Sequence, residues 1–114
     1  MSQKDDTLYL GHMLEVARWI QQRLATTSRQ EFDANMELRL AVVHQLQIIG
    51  EAAGRVSEAT KQRSPGIPWH LITSMRHRIV HDYVNIDFEI VWTTATRDIV
   101  TLVGELAKLV PPAD

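Results

Sequence analysis

The sequence predicts an all-α protein, an up-down bundle of four to five helices formed by a single domain spanning residues 1–114. Three observations carry that expectation. Apolar residues recur at three- and four-residue spacing along most of the 114 residues. No stretch shows the strict alternation of a half-buried strand. The clearest break is Gln62–Pro68, where Pro65-Gly66 is a turn dipeptide and Pro68 suits the first turn of a new helix.

The first helix starts at Asp5, Asp6 and Thr7, acids placed where the positive end of the helix dipole favours them. Leu10, Leu14, Ala17, Ile20 and Leu24 form its inner face, which Tyr9, Val16 and Trp19 broaden. His12 and Arg18 face water, and Thr26-Thr27 ends the pattern. Ser28–Asp33 reads as a polar connection with Asp33 as N-cap. A long helix then runs from about Asn35 to Lys61. Leu38, Val42, Leu46, Ile49, Ala53 and Val56 form one stripe, and Met36, Leu40 and Val43 a second. Gly50, Ala52, Ala53 and Gly54 are small enough to let a neighbour approach. Glu51 is either a solvated edge or a partner for an arginine.

A third helix runs from Pro68 to about Val80, with Trp69, Ile72, Met75 and Ile79 as its core face and Arg76 and His77 beside that face. Asp87 caps a last helix from Phe88 to Val110, with Trp92, Ala95, Ile99, Leu102, Leu106 and Leu109 as a heptad-like seam. Pro111-Pro112 stops it. The surplus apolar width on the second and last helices points to a helix-paired homodimer.

Composition narrows the function. With no cysteine, thiolate catalysis, disulfides and cysteine-held metals are excluded. The polar start MSQKDDTLYL is unlike a signal peptide, and no apolar run approaches the ~20 residues that span a bilayer, so a cytoplasmic protein without a membrane partner is expected. The net charge of −2 argues against a general nucleic-acid coat. Its distribution is uneven. Residues 59–81 carry Lys61, Arg63, Arg76 and Arg78, three histidines and no acid, on an otherwise acidic chain. Such a patch attracts one anionic ligand.

That basic segment ends in MRHRIVHDY at Met75–Tyr83. Three readings compete for it. The plainest is a solvated helix face with a histidine at the end favoured by the helix dipole. A second is metal: His77 and His81 stand at i, i+4, but a zinc site needs three or four protein ligands and no H-E-x-x-H is present. The third is phosphoryl chemistry on RNA. Cleavage without a metal needs a proton taken from the 2′-hydroxyl, a proton given to the leaving 5′-oxygen, and relief of charge on the phosphorane. Histidine serves the proton roles and arginine the last. Five helical residues turn the chain by roughly 140°, so Arg76 and His81 converge only if the helix loosens at its end or a second copy faces the first.

The run Arg76-His77-x-x-x-His81 resembles the R-x4-H signature of the HEPN superfamily of all-helical ribonucleases, and His81-Asp82-Tyr83 resembles the R-x4-H-x-Y form of its HepT-like branch. The likeness extends through LQIIGEAAGRVS at 46–57, IPWHLITSMRHRIVHDYVNID at 67–87 and the last helix. One difference is His77, where this branch more often carries Asn. The resemblance implies a homodimeric, metal-independent endoribonuclease toxin needing no cofactor, with Arg76 and His81 catalytic across the dimer cleft. It implies an MntA-like nucleotidyltransferase antitoxin that transfers AMP to Tyr83. Bulk and negative charge there would oppose RNA binding. His77 and Arg78 are candidate substrate contacts, with plain solvent exposure as the alternative. The competing function class is a non-catalytic helical dimer that binds a nucleotide or docks a nucleotidyltransferase.

Overall fold

The computed structural model describes residues 3–80 and 85–111. Their architecture is helical: α1 (Gln3–Leu24), α2 (Arg29–Ala34), α3 (Met36–Arg55), α4 (Glu58–Arg63), α5 (Trp69–Thr73), α6 (Met75–Ile79), α7 (Phe88–Thr93), a π turn (Thr94–Asp98) and α8 (Ile99–Ala107). The predicted all-α class holds, and each predicted long helix except the first is interrupted.

The interruptions have local causes. Ser28–Asp33 is not a plain connection but the start of α2. Ser28 accepts from the Glu31 amide at 3.0 Å while Glu31 accepts from the Ser28 amide at 2.9 Å, a capping box that satisfies two orphan donors. Asn35, not Asp33, caps α3, accepting from the Leu38 amide at 3.0 Å. The second predicted helix stops at Arg55, because Val56 turns extended and Ser57 caps a separate α4. The last predicted helix holds the π turn. There the Thr96 hydroxyl takes the Trp92 carbonyl at 2.7 Å, competing with the amide that would ordinarily use it.

The core is one cluster running through every layer. Met13 and Ile20 of α1, Leu46 and Ile49 of α3, Ile79 of α6 and Leu106 of α8 are fully buried. Each such aliphatic side chain contributes about 1.5–3 kcal/mol by leaving water. α1 packs along α3 and α8, and α3 carries α5 and α6 on its other side. Asp6, near the start of α1, meets Ser57 just past the end of α3, so these two helices run antiparallel. At the opposite end Arg39 lies over the Phe88 ring, 4.8 Å from its centroid, and Phe32 meets Trp92 in a tilted ring contact at 5.0 Å. Of the two glycines in the predicted small-residue run, Gly50 makes the close approach, and Ala52 and Ala53 are buried in the core. A Cβ there would stand 2.9 Å from the Ile72 carbonyl oxygen, whereas Gly54 has open space. Glu51 is exposed, which settles its alternatives in favour of a solvated edge.

Candidate active site

The helix bearing the motif is held at both ends. At its start, Ile67 donates to the Ser64 carbonyl at 3.2 Å, and the Trp69 indole donates to the same carbonyl at 3.1 Å. This tight turn has Pro65-Gly66 at its centre and leads the chain into α5, which packs on α3. Ser74 then interrupts the helix. Its hydroxyl bonds back to the His70 carbonyl at 2.8 Å and its backbone relaxes to φ −93°, ψ 6°. α6 resumes with enough register that Ile72, Met75 and Ile79 all remain buried, as the sequence predicts for three of its four core-face residues. Trp69, the fourth, is half-buried against the core.

The predicted contact residues divide between two sides of this helix. Arg76 and His77 are exposed, and neither takes an ion-pair partner among the described residues. Arg78 is half-buried and lines a cavity of about 210 Å³ with Thr94, Asp98, Thr101 and Glu105, against apolar walls from Met75, Ile99 and Leu102. The π turn supplies Thr94 and Asp98 to that cavity, a feature that periodicity does not reveal.

The helix ends at Ile79, two residues before His81. Val80 is extended at φ −105°, ψ 103°, and pairs with Ile86 in a single antiparallel bridge. The Asp87 amide donates to the Ile79 carbonyl at 2.8 Å, and the Asp87 side chain accepts from Ile90 at 3.1 Å to cap α7. Residues 81–84 between these stems, His81 and Tyr83 among them, lie outside the described residues. The stems alone decide one point. The chain has left the helix by Val80, so the divergence of roughly 140° expected of a continuous helix does not govern Arg76 and His81.

Another groove, about 740 Å³, lies between α1 and the end of α8, with Leu14, Val16 and Trp19 in its wall. It contains no residue of the motif, so size does not identify the site. Among the described residues no group of three or more histidines and carboxylates stands together as a metal cage, and no helix is long and apolar enough to cross a membrane.

Comparison with known proteins decides the family. A family model described as ribonuclease HepT-like matches residues 13–109. The chain belongs to the HepT-like family. It is 32% identical to "Probable ribonuclease HepT" of Thermococcus cleftensis, covering 89% of this chain and 92% of that one. It is 28% identical to "Putative RNase TTE0752" of Caldanaerobacter subterraneus subsp. tengcongensis, over 89% and 90% of the two chains. It is 29% identical to "Putative RNase MJ1216" of Methanocaldococcus jannaschii, over 96% and 91%. No solved structure matches the chain significantly. The HepT-like matches therefore span nearly the full helical architecture, motif helix included.

Proposed function

We propose that this HepT-like chain is a metal-independent endoribonuclease toxin whose active site forms across a homodimer cleft, with Arg76 and His81 as the catalytic pair. One observation carries the reading. Arg76 presents an exposed guanidinium, unpaired among the described residues, on the last turn before the chain leaves α6 toward His81. A fixed cation with a free planar fork is suited to the non-bridging oxygens of a phosphodiester. The ribonuclease names of its relatives support RNA as the substrate.

The chemistry balances without a cofactor. One imidazole takes the proton of the ribose 2′-hydroxyl, and the 2′-oxygen attacks phosphorus. The bond to the 5′-oxygen breaks and that oxygen receives a proton from an imidazolium. The products are a 2′,3′-cyclic phosphate and a 5′-hydroxyl. Two copies of His81 in one cleft supply the base and the acid, and Arg76 neutralises the charge that grows on the phosphorane. His77 contacts the strand on the same exposed side as Arg76. Arg78, on the other side of the helix, shares its cavity with Asp98 and Glu105 and is the weaker candidate for a strand contact. Apolar side chains left exposed on α3 and α8, including Leu40 and Val100, support pairing with a second copy.

The toxin role rests on the HepT-like branch. An MntA-like nucleotidyltransferase is the proposed antitoxin in the cytoplasm, placing AMP on Tyr83, two residues past His81. The added negative charge would repel the RNA backbone. The direct test is incubation of the purified chain with single-stranded RNA in EDTA. Fragments ending in a 2′,3′-cyclic phosphate are expected. RNA left intact across a range of sequences rejects catalysis and favours a nucleotide-binding or docking dimer.

A further inference from the structure

α5 and α6 are flanked by two concavities of unlike charge: one sets two carboxylates, Asp98 and Glu105, against Arg78, and the other sets Lys61 and His70 against one carboxylate, Glu58, and is the better suited to a polyanion. The 210 Å³ cavity beside Arg78 also presents Asp98 and Glu105, which repel phosphate. On the other side is an open groove of about 350 Å³ lined by Glu58, Lys61, Gln62, Trp69, His70 and Thr73. Lys61 and His70 belong to the acid-free basic segment. The Lys61 ammonium lies over the Trp69 ring, 6.0 Å from its centroid, so a face of the indole is turned to the groove. The indole nitrogen is already bonded to the Ser64 carbonyl, which fixes the ring in place. Trp69 and Arg76 are seven residues apart, and the register kept across the Ser74 break, which leaves Ile72, Met75 and Ile79 all buried, puts the groove and the exposed guanidinium on one side.

We infer that this groove is a nucleotide subsite for single-stranded RNA, with the Trp69 ring as a stacking platform for one base and Lys61 and His70 as contacts to the adjoining phosphate. A rigid aromatic face beside mobile cations is the arrangement that holds single strands without reading sequence. Lys61 already shows that the ring attracts a cation. A base entering against the same face displaces the ammonium outward, toward the phosphate of that nucleotide. The subsite rests on the ribonuclease reading and deepens it. It makes the substrate a strand of several nucleotides running from the Trp69 groove to Arg76, not a dinucleotide.

The test is binding of a fluorescent 2′-O-methyl RNA oligonucleotide, which cannot be cleaved at the blocked 2′-oxygen, to the full-length protein. The variants are the double substitution Lys61→Gln with His70→Gln, and Trp69→Leu, which keeps an apolar side chain at the core edge. Each is expected to weaken binding roughly tenfold. The double variant also lowers the salt dependence of binding by one to two phosphate contacts, about −0.7 in slope for each. Thermal melting controls for folding, and Trp69→Phe, which retains an aromatic face, recovers most of the affinity. Unchanged binding and salt slope in the double variant overturn the subsite even where wild type cleaves RNA. Weakened binding in a protein that binds but never cuts sustains the subsite and sinks the ribonuclease reading. Absence of wild-type binding overturns the subsite, as does a double variant that loses only its protein partner.

Discussion

The Asp6 carboxylate accepts hydrogen bonds from the Ser57 amide at 2.9 Å, the Ser57 hydroxyl at 2.5 Å and the Thr60 hydroxyl at 2.6 Å, joining positions 51 and 54 residues apart. It is thus not merely an acid in the first turn of α1. It fixes the corner between α3 and α4, and so the base on which the motif helix stands. Burial pushes its pKa up, but the bonds from Ser57 and Thr60 outweigh burial and hold the carboxyl below its ordinary value. Asp6→Ala leaves buried donors without an acceptor and should cost about 2 kcal/mol, read from denaturant unfolding.

The same bonds set an acid dependence. The folded-state pKa lies below the unfolded value, so the contribution is complete above about pH 4 and is lost as pH falls through the lowered folded pKa. The melting temperature of wild type should therefore fall below about pH 4 more steeply than that of Asp6→Asn. Parallel curves would show that another group controls acid unfolding.

Gly50 and Gly54 make a paired test of helix approach. Gly50→Ala places a methyl 2.9 Å from the Ile72 carbonyl, and backbone cannot swing aside as a side-chain tip can. A loss of about 1–3 kcal/mol is expected, as for overpacking elsewhere. Gly54→Ala meets nothing within 4 Å and should raise stability by about 0.5–1 kcal/mol through helix propensity. Equal effects at the two sites would contradict the close crossing of α3 and α5.

The approach at Gly50 was legible as a run of small residues, but which glycine makes it depends on where α5 crosses. The buried faces of α1, α3 and α8 were legible because helical periodicity is local. Ser28 and Glu31 stand at capping-box spacing, a signal of α2 inside what otherwise looks like a polar linker. The bond from Asp6 to Ser57 left no local trace, since only the packed fold brings the two together. The π turn arises from competition for the Trp92 carbonyl, and the threonines at 93, 94 and 96 hinted at it only weakly. Arg76 and His77 were rightly placed beside the core stripe. That Arg78 turns into a cavity shared with carboxylates required the position of the last helix.

Phe32 ties the short α2 to α7 through its ring contact with Trp92 and is fully buried. Phe32→Ala should destabilise the protein by about 3–5 kcal/mol, with no effect on the motif helix beyond that. A smaller loss, with unchanged near-ultraviolet circular dichroism, would mean that α2 is dispensable.

The proposed AMP transfer to Tyr83 can be tested apart from catalysis. Tyr83→Phe removes the oxygen that would accept AMP while keeping the ring. It is expected to retain RNA cleavage and to escape inhibition by the nucleotidyltransferase partner with ATP. Mass spectrometry should show the adduct on wild type alone. An adduct on the Phe variant would place the modification elsewhere.

The proposed catalytic pair is tested most directly by His81→Ala, assayed on single-stranded RNA in EDTA with the oligomeric state followed by light scattering. Loss of a general acid–base group lowers the rate by about 10²–10⁴-fold, so cleavage should fall to background while the protein keeps the proposed dimer and wild-type melting. Cleavage at the wild-type rate by that folded dimer would contradict the account.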